Sequence, residues 1–142
     1  MRYCNIADPP VYTEEIERWD RETDADGEAM GGVIEQLLNN DHYAREAMNR
    51  QDHVTLITLT ATGWIGDAAP YEQTVAVEGV TAEDNPMLVS ALKDGADLAT
   101  QKAYSKAFGI LASGTGTTAD GSVTFKVYKK PATDIVAGLK GV

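Results

Sequence analysis

Reactive and cross-linking residues are scarce in this sequence. One cysteine, Cys4, and two histidines, His42 and His53, stand among 142 residues. A single thiol forms no internal disulfide, and with two histidines it makes no recognised zinc spacing, so disulfide scaffolds and structural zinc drop out. No run of eighteen apolar residues occurs, which argues against membrane insertion. The opening Met-Arg-Tyr-Cys-Asn has no basic-then-apolar pattern, which predicts synthesis in a cytosol. Basic residues are also few, 12 against 22 acidic ones. The resulting formal charge of -10 excludes a phosphate-tracking surface and hence nucleic acid as a partner. Repeats and low-complexity tracts are missing as well.

The chain changes character near residue 52. Residues 1–52 hold thirteen Asp and Glu with five basic residues, all Arg, whereas residues 53–142 hold nine acids with seven Lys and no Arg. The front is rich in helix formers, and the back in Thr, Val, Gly and Ala with alternating patterns. Two domains are predicted, an attachment and oligomerisation segment over 1–52 and a β-rich head over 53–142.

Within the front segment, Asp8-Pro9-Pro10 forbids a regular helix and favours an extended arm. The arm has no core of its own, and Tyr3, Ile6, Pro9, Pro10, Val11 and Tyr12 require a neighbouring surface. Thr13-Glu14-Glu15-Ile16 reads as a cap with acids in a first turn, predicting a short helix through Trp19. Thr23-Asp24-Ala25-Asp26 has the shape of a capping box before a second helix. That helix carries Met30, Val33, Ile34, Leu37 and Leu38 on one stripe; the stripe pauses at Asn39-Asn40-Asp41 and resumes with Tyr43, Ala44, Ala47 and Met48, which leaves open whether a single helix runs through or is interrupted at the Asn pair. Too few apolar residues lie in this half to cover the stripe. Two covers are open: the chain's own C-terminal domain, or copies of the helix in a homo-oligomer.

After His53 the period shortens to two. Residues 54–62 form a strand with Ile57, Leu59 and Ala61 on one face and Val54 and Leu56 on the other, a phase switch that predicts a bulge or burial of both faces. Further strands are expected over 71–79 and 87–92, a helix over 96–108, a hairpin with arms 110–113 and 122–130, and a last strand over 133–139. Six short strands and one helix in ninety residues describe a mainly β domain, a small β-sandwich or jelly-roll-like head.

No constellation for catalysis emerges. Glu22-x-Asp24-x-Asp26-Gly27 has the start of a calcium loop but Val33 where a bidentate Glu belongs, so capping and a turn explain it. The carboxylates single out no glycosidase pair, His42 and His53 have no nucleophile beside them, and Gly114-Thr-Gly-Thr-Thr has no phosphate-loop context. Trp64, Tyr71 and Tyr128 are the residues that could stack on a saccharide or equally anchor loops. The expectation is a non-enzyme with no cofactor and no metal. A monomeric carbohydrate-binding module is the alternative, and an enzyme acting on surface polysaccharide a third.

The order of motifs adds to this. Leu59-Thr-Ala-Thr-Gly-Trp64, Ala69-Pro-Tyr71, Gln73-Thr-Val-Ala-Val-Glu-Gly79, Asp84-Asn-Pro86, the residues 123–131 and Thr133-Asp-Ile135 together resemble the C-terminal module of tail-fibre and baseplate-associated proteins encoded by phages and prophages of Gram-positive bacteria. Ile16-Glu-Arg-Trp19 and Ile34-Glu-Gln-Leu-Leu-Asn-Asn-Asp41 are similar to the N-terminal segment of such fibres. The resemblance implies a virion structural protein, commonly homotrimeric, made in a bacterial cytoplasm. Its front part would attach to other virion proteins through Tyr3, Ile6, Pro9, Pro10, Val11, Tyr12 and Trp19 and assemble through Met30, Val33, Ile34, Leu37, Leu38, Tyr43 and Met48. The head would face outward toward a host-surface glycan. A head-surface fibre or decoration protein fits the same pattern.

Overall fold

A computed structural model describes residues 3–16, 18, 19, 22 and 26–142. The chain divides into two compact units, Met1–Arg50 and Gln51–Val142.

The first unit is a docked arm and one long helix. Helix α1 spans Gly27–Asp52, about 39 Å at 1.5 Å per residue. The Glu28 N–H donates to Asp26 Oδ1 at 3.0 Å, and Met30 N–H donates to the Asp26 carbonyl at 3.0 Å. Asp26 thus serves as the N-cap, satisfying amides that a helix start leaves unpaired. The rest of the anticipated capping box, Thr23 to Ala25, lies outside the described residues. Of the two forms left open, the helix is the single one, running through Asn39 and Asn40 without interruption. Their amides turn outward to bind the arm instead of competing for the helix's own backbone. The short helix expected from Thr13 is also absent among residues 13–16, 18 and 19. Asn40 Nδ2 donates to the Thr13 carbonyl at 2.9 Å, occupying the acceptor on which a first helical turn would close.

In the second unit, β1 (Val54–Leu59), β3 (Met87–Ser90) and β6 (Ile135–Lys140) form one three-stranded sheet, in the order β1-β6-β3. A second sheet has the order β2-β5-β4, from β2 (Tyr71–Ala76), β4 (Thr115–Ala119) and β5 (Ser122–Val127). Every pairing is antiparallel. Helix α2 spans Leu98–Ala112. Period-two alternation sends Ile57 and Leu59 of β1, Val123, Phe125 and Val127 of β5, and Ile135, Ala137 and Leu139 of β6 into one core, joined by Ala107 and Leu111 of α2. The chain therefore has mixed α and β content, with two helices and six strands among the described residues.

Three local expectations are corrected here. First, β1 contains no bulge. Its register with β6 is unbroken from Val54↔Lys140 to Leu59↔Ile135. Nor are both faces buried, since Val54 and Leu56 are exposed on the sheet's other side. Second, residues 110–112 continue α2, because one more turn brings Leu111 into the core four residues after Ala107. Third, the Gly/Thr-rich stretch taken as a loop is β4 itself. It pairs with β5 through the two-residue turn Asp120-Gly121, where Gly121 takes a φ of 74° that side chains avoid.

Candidate functional site

The features that distinguish the first unit lie on opposite sides of α1. Successive residues turn by about 100° around a helix, so Met30, Val33, Ile34, Leu37, Ala44 and Met48 fall within an arc of about 100°. All of them are half-buried or exposed, with Leu37 at 52% and Met48 at 65%. No described residue of α1 is buried. Leu38 stands at the edge of this arc.

The arm occupies the far side and reaches one flank of the stripe, since Asn40, seven residues after Val33, lies only about 20° from it. Asn39, nine residues after Met30, projects about 180° away from it. Its Oδ1 accepts from Ala7 N–H at 2.8 Å, and its Nδ2 donates to Asn5 O at 3.4 Å and to Glu35 O at 2.8 Å. Glu35 Oε1 accepts from Asn5 N–H at 2.8 Å. Asn40 completes the clasp, with Oδ1 accepting from Thr13 N–H at 2.7 Å and Nδ2 donating back to Thr13 O. An amide side chain carries both a donor and an acceptor, so it can satisfy an extended chain's N–H and C=O as a neighbouring strand would. Tyr12 and Tyr43 pack with ring centroids 5.6 Å apart. A hollow of about 530 Å³ between arm and helix is lined by Pro9, Pro10, Tyr43, Glu46 and Ala47 among others.

This splits the predicted oligomerisation set. Met30, Val33, Ile34, Leu37 and Met48 share one face with Leu38 beside them, but Tyr43 lies on the arm's face, packed on Tyr12. Of the predicted attachment residues, Tyr3, Ile6, Pro9, Val11 and Trp19 are exposed and Pro10 is half-buried. Tyr3, at 87% exposure, is the most open of these apolar side chains. Tyr12 is committed to Tyr43. The Asn-Asn clasp was missed by reading the sequence, although two adjacent amides inside an otherwise strong helical stretch were its signal. Glu35 offered none.

In the second unit, the three aromatic residues marked for ligand stacking have different fates. Trp64 is 4% exposed and belongs to the core, with no ring face open to solvent, and its Nε1 has no hydrogen-bond partner. Stacking on a sugar requires an accessible face, which the buried Trp64 ring does not present. Tyr71 packs partly against the core and carries Lys130 Nζ 4.6 Å from its ring centroid. Tyr128 remains open at 69%. The solvent-facing side of β1-β6-β3 presents Val54, Leu56, Met87 and Val136. Gly138 lies buried beneath, with Val54 and Val89 leaning over it.

Charged groups are mostly tied into structure. Asp41 pairs with Arg45 at 3.0 Å, Glu72 with Lys126 at 2.6 Å, and Asp52 with Lys140 at 3.6 Å. Hydrogen bonds from the Thr100 side chain and backbone hold the Asp97 carboxyl, the N-cap of α2, below its usual pKa. His42 sits 3.2 Å from Glu46 in an i,i+4 pair. Near β3 and β4 a cleft of about 360 Å³ includes Asp84, whose carboxylate accepts from the Thr81 N–H and hydroxyl. Among the described residues, no group of three His, Cys, Asp or Glu comes together to hold a metal, and no helix is long and apolar enough to cross a membrane.

Comparison with protein-family models, curated proteins and solved structures finds no match for this chain.

Proposed function

We propose that the chain is a virion structural protein, a short phage fibre of receptor-binding type that works as a homotrimer. The first unit assembles the copies and attaches them to other virion proteins. The second unit, read as a small β-sandwich, faces a host-surface glycan. The reading assigns no catalysis and no cofactor.

One observation supports it above the others: a 26-residue helix contains no buried residue yet carries an apolar stripe, interrupted once at Asp41. Helices within proteins draw most of their stability from burying such a face, and an exposed apolar patch marks an interaction surface. The motif order over residues 54–142 supplies the fibre part of the reading. The monomeric carbohydrate-binding alternative loses its strongest aromatic to the core, since Trp64 has no open face.

Light scattering on the full chain and on residues 53–142 tests the proposal. A trimeric full chain and a folded, monomeric fragment are expected. A full chain that stays monomeric at micromolar concentration overturns it.

A further inference from the structure

We infer that the second unit carries a docking site for a short acidic segment of another protein, one that sets an apolar side chain between carboxylates. The site is a hollow of about 380 Å³ between α2 and residues 129–133. Lys102, Lys106, Lys129 and Lys130 line it, four of the seven lysines in residues 53–142. Ala107, buried, and Ile110, half-buried, give it an apolar base. Every lining residue belongs to the second unit, so the site is complete without a second copy.

Three observations carry this. First, the four cations have no carboxylate of their own. Lys126 pairs with Glu72 and Lys140 with Asp52, but among the described residues no acid pairs with any of these four. Asp134, next along from Thr133 of the hollow, commits its Oδ1 to the Ala61 N–H at 2.8 Å. Lys102 and Lys106 stand four residues apart on α2, where like charges weaken a helix and do not support it. Lys130 lies 4.6 Å from the Tyr71 ring centroid, a cation–π contact that holds one of the four ammonium groups in place.

Second, charge selects both the sign and the length of the occupant. The chain as a whole carries -10, so a long polyanion laid on the cluster would run on over acidic surface and be repelled. Screening confines attraction to about 8 Å at physiological ionic strength. An anion whose charges end within the cluster gains the attraction without that cost. Third, the base is apolar. Free phosphate would leave Ala107 and Ile110 wet, whereas an aliphatic side chain covers them and the lysine stems pack along it. Lysine ammonium groups are rotatable point charges, which follow flexible carboxylates without a fixed bidentate geometry.

Fluorescence anisotropy with the full chain tests the site, the probe being a labelled peptide with one Leu flanked on each side by two Glu. Binding is expected, and the double variant Lys102→Glu with Lys106→Glu should weaken it at least about tenfold. Lys93→Glu, outside the hollow, should leave it unchanged. Replacing the peptide's Leu by Gly should weaken binding at least about fivefold. In the unmodified chain the peptide is expected to protect Lys102, Lys106 and Lys129 from acetylation and to leave Lys93 reactive. A peptide that does not bind, or binds the double variant equally well, overturns the site. Equal binding of the Gly peptide overturns the apolar base and with it the proposed occupant. Inorganic tripolyphosphate or phosphatidylglycerol vesicles that engage the lysines where the peptide does not overturn the choice of a protein segment.

Discussion

The two units show how little a regular backbone says about burial. Helix α1 is 26 residues long and has no buried residue. Strand β5 is six residues long and buries three of them, Val123, Phe125 and Val127. The strand sits between two others and shares its inner side with a second sheet's core residues, whereas the helix carries an arm held by polar groups and one aromatic pair. What differs is the neighbour. The first unit leaves its apolar stripe half-buried or exposed, whereas the second encloses fourteen apolar residues in one core.

Substitutions in matched positions sharpen this contrast. The largest effect is expected from Leu59→Ala, which opens a cavity at a fully buried site and should cost the second unit about 2–5 kcal/mol in urea unfolding. The matched truncation Leu37→Ala should move that same transition by no more than about 0.5 kcal/mol, because nothing of the second unit's core is touched. Equal costs for the two would break the contrast.

Next comes Gly138→Ala. The new methyl would lie 2.7 Å from both Val54 Cγ1 and Val89 Cγ2, and displacing the two valines should cost about 1–3 kcal/mol in the same assay. A neutral result would show that the sheet's outer layer gives way freely.

A smaller effect is expected in the first unit. Asn40→Ala removes both hydrogen bonds to Thr13, at about 1 kcal/mol each. Limited proteolysis of the arm should accelerate at least about fivefold while the β-rich unit keeps its melting temperature. An arm cut no faster would mean that the clasp does not hold it.

The smallest concerns α2. The Asp97 pKa is lowered in the folded chain by its bonds from Thr100, so its stabilisation is complete above the ordinary carboxylate pKa and is lost as the pH falls through the lowered value. In Asp97→Ala that acid-side decline should diminish, and the wild-type and variant melting temperatures should converge at low pH.

Much of the β-rich unit was legible because period-two alternation is local. Val123, Phe125 and Val127 alternate with Thr124 and Lys126, and that pattern alone marks the inner face. The hairpin failed where this signal stopped. Thr115–Ala119 has no apolar alternation, and its strand state comes from pairing with β5, while residues 110–112 stay helical because Leu111 reaches a core assembled from distant strands. Trp64 was left with two readings for a similar reason, since glycines around an aromatic do not tell whether the ring turns in or out. Of the candidate site, the stripe was legible by its spacing, but its separation from Tyr43 was not.

By itself the sequence determined the division of character near residue 52, the apolar stripe, the alternating strands and the scarcity of reactive groups, because each depends on residue identity and short-range spacing. The tertiary structure decided what lies against what. It docked the arm on α1 through two asparagine amides, left the residues of the stripe half-buried or exposed, and enclosed Trp64. Those outcomes depend on contacts between residues tens of positions apart, and hydrogen bonds to a distant backbone leave no periodic trace in the sequence.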